Sequence, residues 1–95
     1  MDYFTGNNYE DYAELLKALG HPIRLCIVKG LLDSKGCNVT KIQDCLAIPQ
    51  STISQHLAKL KNAGIITGDR QGLEITYRVN NPIIEELISV LFKNE

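Results

Sequence analysis

The sequence predicts a mainly α fold of five helices interrupted by one β-hairpin, and three observations carry that prediction. Apolar residues recur at three- and four-residue spacing through most of the chain, the period of a helix buried on one side. Only between residues 65 and 79 does that period give way to the alternation of a half-buried strand. Gly, Asn and Pro stand where such helices should stop or start.

Helix 1 runs from Tyr9 with Tyr12, Leu15, Leu16 and Leu19 on its apolar side, and Gly20 stops it. His21-Pro22 restarts the chain into a helix that is apolar on most sides (Ile23, Leu25, Cys26, Ile27, Val28, Leu31, Leu32) and is therefore expected at the centre of the core; Ser34-Lys35-Gly36 is its exit. Asn38 is placed to cap a short helix from Val39 to Leu46, with Val39, Ile42 and Leu46 inward. Ala47-Ile48-Pro49 breaks it, because proline bars helical geometry in the residue before it. A fourth helix, Gln50 to Ala63, carries the stripe Ile53, Leu57 and Leu60, and Gly64 sits at the left-handed C-cap position.

The segments from Ile65 to Arg70 and from Leu73 to Val79 flank Gln71-Gly72 as a hairpin, with Leu73, Ile75, Tyr77 and Val79 expected on its inner face. Asn81-Pro82 opens a last helix whose residues Ile83, Ile84, Leu87, Ile88, Val90, Leu91 and Phe92 are more apolar than one buried face requires. Such a surplus predicts packing against a second subunit as well as against the chain's own core.

Composition narrows the function classes. At 95 residues, 44% hydrophobic and 22% charged, with ten Gly and Pro together, the chain is expected to form one domain over residues 1–95, with 1–8 as a flexible lead, and is not collagen-like or disordered. No apolar run reaches the roughly 18 residues of a membrane span, and the polar start MDYFTGNNYEDY is unlike a signal peptide, so a cytoplasmic protein without membrane partners is expected. Net charge is −1, but it is unevenly spread. Residues 1–20 carry −3, residues 81–95 carry −2, and residues 21–80, with eight Lys or Arg against four acids, carry +4. One positive face is possible because a partner feels the local potential, screened beyond about 10 Å. No nucleophile–base set, phosphate-cradling Gly loop or paired carboxylates are visible, so neither an enzyme nor a cofactor is expected.

Two helices joined by a three-residue break and followed by a hairpin make a helix-turn-helix with a wing. Ile42, Leu46, Ile48, Ile53, Leu57 and Leu60 would lock the pair and leave the start of the second helix free to enter a major groove about 12 Å wide. Its outward residues Gln50, Ser51, Thr52, Ser54 and Gln55 are short donors and acceptors suited to base edges. Lys41, Lys59, Lys61, Arg70 and Arg78 are placed for phosphates, with Gln71 near the wing tip. His56 stands on the edge of the inward stripe, a phosphate contact or a core-edge hydrogen-bonding group. Polar helix starts are ordinarily capping and solvation; the hairpin weighs against that reading here, because it adds a second, independently placed contact element.

The strings LLKALGHPIRLCIVKGLL, IPQSTISQHLAKLKNAGII and DRQGLEITYRV together resemble the ArsR/SmtB family of winged-helix repressors, from about Tyr12 to Leu91. The most specific matches are His21-Pro22-x-Arg24, Gln50-Ser51-Thr52-x-Ser54-Gln55-His56-Leu57 and Arg70-x-Gly72. The resemblance implies a homodimer through the first and last helices, here Tyr12, Leu15, Leu16, Leu19, Ile84, Leu87, Ile88 and Leu91, bound to a palindromic double-stranded operator. It also implies repression until an inducer arrives.

The family's inducer sites are incomplete in this sequence. The Cys-x-Cys positions of the third helix are Asn38 and Thr40, with Cys37 one residue early. The last helix has no His, and its adjacent Glu85 and Glu86 point about 100° apart, so no family metal site is expected. A redox pair between the second and last helices would have only Cys26. In these respects the chain is similar to the PagR-like members, which lack recognisable metal ligands.

The three cysteines include no C-x-x-C, so reduced thiols are expected. Cys26 reads as a core residue, Cys45 as half-buried and Cys37 as exposed in a turn. Two alternatives to a simple repressor stay open: a winged helix that pairs with another protein, and a thiol-based redox-responsive repressor.

Overall fold

A computed structural model describes residues 3–6 and 8–94. The elements follow in the order α1 (Tyr9–Leu19), α2 (Pro22–Ser34), β1 (Cys37–Asn38), α3 (Val39–Leu46), α4 (Gln50–Asn62), β2 (Ile66–Gln71), β3 (Glu74–Val79) and α5 (Pro82–Leu91). Part of the flexible lead expected over 1–8, residues 1, 2 and 7, lies outside the described residues.

The helix boundaries are set by local chemistry. His21 Nδ1 accepts from the Ile23 amide at 3.1 Å, so the His-Pro pair caps and starts α2. Asn38 Oδ1 accepts from the Lys41 amide at 2.9 Å, and Asn81 Oδ1 accepts from the amides of Ile83 and Ile84. Helix α4 ends as expected at Gly64, whose φ is 77°. There the Gly64 amide donates to the Lys61 carbonyl and the Ile65 amide to that of Leu60, the paired bonds of a Schellman ending. Between α3 and α4 it is Ala47, at φ 56° and ψ 39°, that takes the left-handed turn before Pro49.

The core draws on nearly every element: Leu19, Ile27, Val28, Leu31, Ile42, Ile53, Leu57, Leu60, Ile65, Ile66, Ile84 and Ile88 are all buried. Helix α2, expected to be buried on most sides, buries only Ile27, Val28 and Leu31. Cys26 is exposed, a correction to its reading as a core residue. Its position lies across the helix from those three, since one step on an α-helix turns about 100°. Leu19, Ile84 and Ile88, expected on the pairing face, are likewise corrected: they are spent on the chain's own core. Tyr12, Leu16 and Leu91 stay exposed, Leu15 and Leu87 are half-buried, and the exposed Ile83 and Val90 complete the outer side of α5.

The hairpin is part of a three-stranded antiparallel sheet in the order β1-β3-β2. The third strand was not expected. Cys37 pairs with Tyr77 and Asn38 with Thr76, so the residues just before α3 are stitched to the wing. The turn also sits one residue later than expected. Gln71 pairs with Glu74, leaving Gly72 (φ 66°) and Leu73 as the two turn residues, and Leu73 is 99% exposed rather than on the inner face. A positive φ at the first turn position alone is the type II′ pattern that suits the right-handed twist of a hairpin. Gly68 is required for close packing: a Cβ there would lie 2.9 Å from Ile75 Cγ2 and 3.1 Å from Tyr77 Cε1.

Candidate nucleic-acid interface

Helix α4 sorts its residues by angle. Ile53, Leu57 and Leu60 are buried, which fixes the helix against the core. On the opposite side Ser51, Gln55 and Lys59, four residues apart, are all exposed and form the line a groove would meet. Gln50, Ser54 and Lys61 are exposed along its flank. Thr52 and His56 fall on the other flank and are half-buried.

The wing stands beside the start of this helix. A cleft of about 330 Å3 separates them, bounded by Thr40, Gln50, Ser54, Leu73, Glu74 and Tyr77 among others. Arg70 and Gln71 are exposed at the wing's end, close in the chain to Leu73 and Glu74, which border the cleft. The wing's acids are restrained. Glu74 Oε1 accepts from Asn38 Nδ2 at 3.0 Å, and Asp69 Oδ2 accepts from Arg78 Nε at 2.9 Å. Among the described residues Lys59, Lys61 and Arg70 form no ion pair and remain free for an anion.

Three of the expected DNA contacts are placed differently. Arg78 spends its Nε on Asp69, so it steadies the wing, and its availability to a phosphate is reduced. Lys41 lines a pocket on the α2 side of α3, away from the cleft, while its neighbour Thr40 borders the recognition helix. His56 is half-buried and its ring packs tilted against that of His21, with centroids 4.6 Å apart and the planes at 48°. Its Nδ1 is buried without a partner, as is Arg24 Nε, so the hydrogen bond expected of a core-edge histidine is not formed at Nδ1. Burial, then the charges of His21, Arg24 and Lys59, hold the His56 pKa below its ordinary 6.5, so the ring stays neutral in the fold. Sequence reasoning missed Asn38 and Thr40 as parts of this surface. The sequence marks Asn38 as a cap and, by resemblance, as a Cys-x-Cys position, whereas its bond to Glu74 depends on a strand of two residues that no periodicity can reveal.

Residues 21–67 match the model of the family described as bacterial regulatory protein, arsR family. The transcriptional repressor PagR of Bacillus anthracis is 51% identical over 82 residues, spanning 86% of this chain and 82% of that protein. The chain belongs to the arsR family. The repressor SmtB of Mycobacterium tuberculosis is 48% identical over 66 residues, covering 70% of this chain and 48% of that protein. Among solved structures, PagR superposes with a TM-score of 0.80 over 86% of this chain and 93% of that one. HlyU from Vibrio cholerae does so with a TM-score of 0.87 at 28% identity, covering 94% and 96%.

Membership in the arsR family makes the chain a winged-helix, DNA-binding transcriptional regulator; the family is one of regulators, not of enzymes. Asn38 is engaged at both ends of its amide, by Glu74 and by the Lys41 amide. Among the described residues no group of three His, Cys, Asp or Glu is placed to hold a metal ion, and no helix is long and apolar enough to cross a membrane.

Proposed function

We propose that this regulator is a cytoplasmic homodimer that represses transcription by binding a palindromic operator without a family metal site, the whole chain serving as one winged-helix domain. The observation that carries the reading is the exposed line Ser51, Gln55 and Lys59 on a helix whose start borders the wing across a cleft, with the wing's acids engaged by Asn38 and Arg78. Base edges would be read by Gln50, Ser51, Ser54 and Gln55, with Thr52 at the margin, and phosphates held by Lys59, Lys61 and Arg70. Pairing would use the exposed outer sides of α1 and α5: Tyr12, Leu16, Ile83, Val90 and Leu91, flanked by the half-buried Leu15 and Leu87. PagR and SmtB, both described as repressors, support the sign of the regulation.

The test is fluorescence anisotropy of the reduced protein with the DNA upstream of its own gene and with a random duplex, across a salt series and with a chelator present. Tight binding that prefers the upstream DNA, falls steeply with salt and survives the chelator is expected. Equal, weak binding to both duplexes at low salt, and no enrichment from a random-sequence selection, would overturn it.

A further inference from the structure

Helices α2 and α3 face each other across a pocket of about 270 Å3 that the DNA-binding reading leaves unused. Its walls follow helical spacing. Cys26, Gly30 and Ser34 come from α2 at four-residue steps, Lys41 and Cys45 come four apart from α3, and Cys37 closes the end from β1. Every cysteine of the chain therefore lines one pocket. Sequence reasoning had dispersed them into core, helix end and turn; instead Cys26 and Cys45 are exposed and Cys37 is half-buried. Aliphatic side chains, Ile27, Leu31, Ile42 and Leu46, make up the rest of the walls. Packing does not explain two exposed thiols on facing helices, and a metal site is not formed.

We propose that this pocket binds, and is covalently modified by, a small apolar α,β-unsaturated carbonyl compound. A closed cavity of roughly 150 Å3 lined by Leu, Ile and Phe takes up benzene, and this open-sided pocket has room for a ring of that size. The apolar walls hold the body of the ligand and the thiols supply the nucleophile, Cys26 or Cys45 attacking from the open sides. The reaction needs no oxidant. The thiol loses its proton to water, the sulfur forms a bond to the β-carbon, the C=C π pair shifts between the α-carbon and the carbonyl carbon as the C=O π pair moves onto oxygen, and the resulting enolate takes a proton at the α-carbon. The net change is addition of S–H across the double bond. A route to the DNA face is built in: α3 packs on α4, and Asn38, which caps α3, is bonded to Glu74 of the wing. An adduct held between α2 and α3 bears on α3, and any shift of α3 is passed to the wing and the recognition helix. This second step rests on the repressor reading; the binding and modification do not.

The experiment compares 2-cyclohexenone with acrylamide, a polar electrophile of the same reaction type. Rates are measured by intact-protein mass spectrometry and each is divided by the rate with glutathione. The pocket is expected to favour the ring compound at least about tenfold beyond glutathione's own preference, with adducts mapping to Cys26 or Cys45. Gly30→Leu is the control: Gly30 has open space where a Cβ would stand and an ordinary helical φ, so the variant fills the pocket without straining α2. It should keep its melting temperature and lose the preference. A preference equal to that of glutathione, or one that survives in Gly30→Leu, overturns the site. Operator binding by the untreated protein tests the repressor reading on its own. If it binds, the fully modified protein should bind about tenfold more weakly or worse, and unchanged affinity overturns the coupling while leaving the site intact.

Discussion

The polar face of α4 and the wing and the outer sides of α1 and α5 are both solvent-exposed, yet they are informative for opposite reasons. Exposed Ser, Gln and Lys on a helix are the ordinary state of a soluble protein, so Ser51, Gln55 and Lys59 signify only through their alignment beside an independently placed wing. Exposed Tyr12 and Leu16 on α1, and Ile83, Val90 and Leu91 on α5, are instead grouped by side along their helices, and grouped apolar exposure of this kind marks a contact surface. One face is read by its geometry, the other by its composition. On the proposed reading the two faces separate in experiment, the apolar one governing assembly and the polar one what the assembly reads.

The largest effect is expected on the apolar face. Leu16→Asp combined with Leu91→Asp places charges where each side chain is already more than half exposed, so the subunit stays folded. In the proposed dimer those carboxylates are desolvated without partners, and the dissociation constant should rise about 100-fold or more by sedimentation analysis. Operator affinity falls with it, because two half-sites are no longer held together. A double variant that stays dimeric at micromolar concentration shows that pairing uses another surface.

On the polar face the two kinds of contact should come apart. Gln55→Ala is expected to weaken operator binding by about 1–3 kcal/mol while scarcely changing affinity for random DNA. Lys59→Ala should weaken both alike and reduce the salt slope by about one unit. The division of labour fails if the two variants lose affinity for specific and random duplexes in the same proportion.

How far each face was legible in the sequence follows the same physics. Helical periodicity located all five helices and the inward stripe of α4, because Ile53, Leu57 and Leu60 are separated by whole turns. Periodicity says which residues are apolar, not how many a given helix can bury. Leu19, Ile84 and Ile88 were thus assigned to a partner when the core takes them, and Cys26 was assigned to the core when α2 turns it outward. The strand Cys37–Asn38 is too short to alternate, and with it the wing's tether and the gathering of three thiols were invisible, since both depend on contacts between residues far apart in the chain. Leu73 was misplaced by one register step because Gln71-Gly72 and Gly72-Leu73 are both plausible hairpin turns.

Asn38 joins the polar face to the scaffold, and Asn38→Ala should cost about 1 kcal/mol of stability through the lost cap on α3. It also releases Glu74, whose carboxylate is then free beside the cleft to repel phosphate. DNA affinity should therefore fall by more than the stability change explains, and a second change, Glu74→Gln, should restore it. An affinity that Glu74→Gln leaves unrestored shows that the bond to Glu74 has no electrostatic role.

The smallest effect lies where the polar face turns into the core. His56 is held neutral by burial and by the positive charges around it, so its pKa in the folded chain lies below the 6.5 of the unfolded one. As pH falls through 6.5 the unfolded chain takes up a proton that the folded chain refuses, and stability declines with acidification until the folded ring is protonated too. His56→Gln removes this component while keeping a polar side chain of similar reach against His21. Denaturant unfolding at pH 7.5 and 5.5 should show the variant losing less stability across that interval than the native chain. Equal losses in both would mean that His56 is as easily protonated in the fold as out of it, and that the packing of its ring on His21 imposes no electrostatic cost.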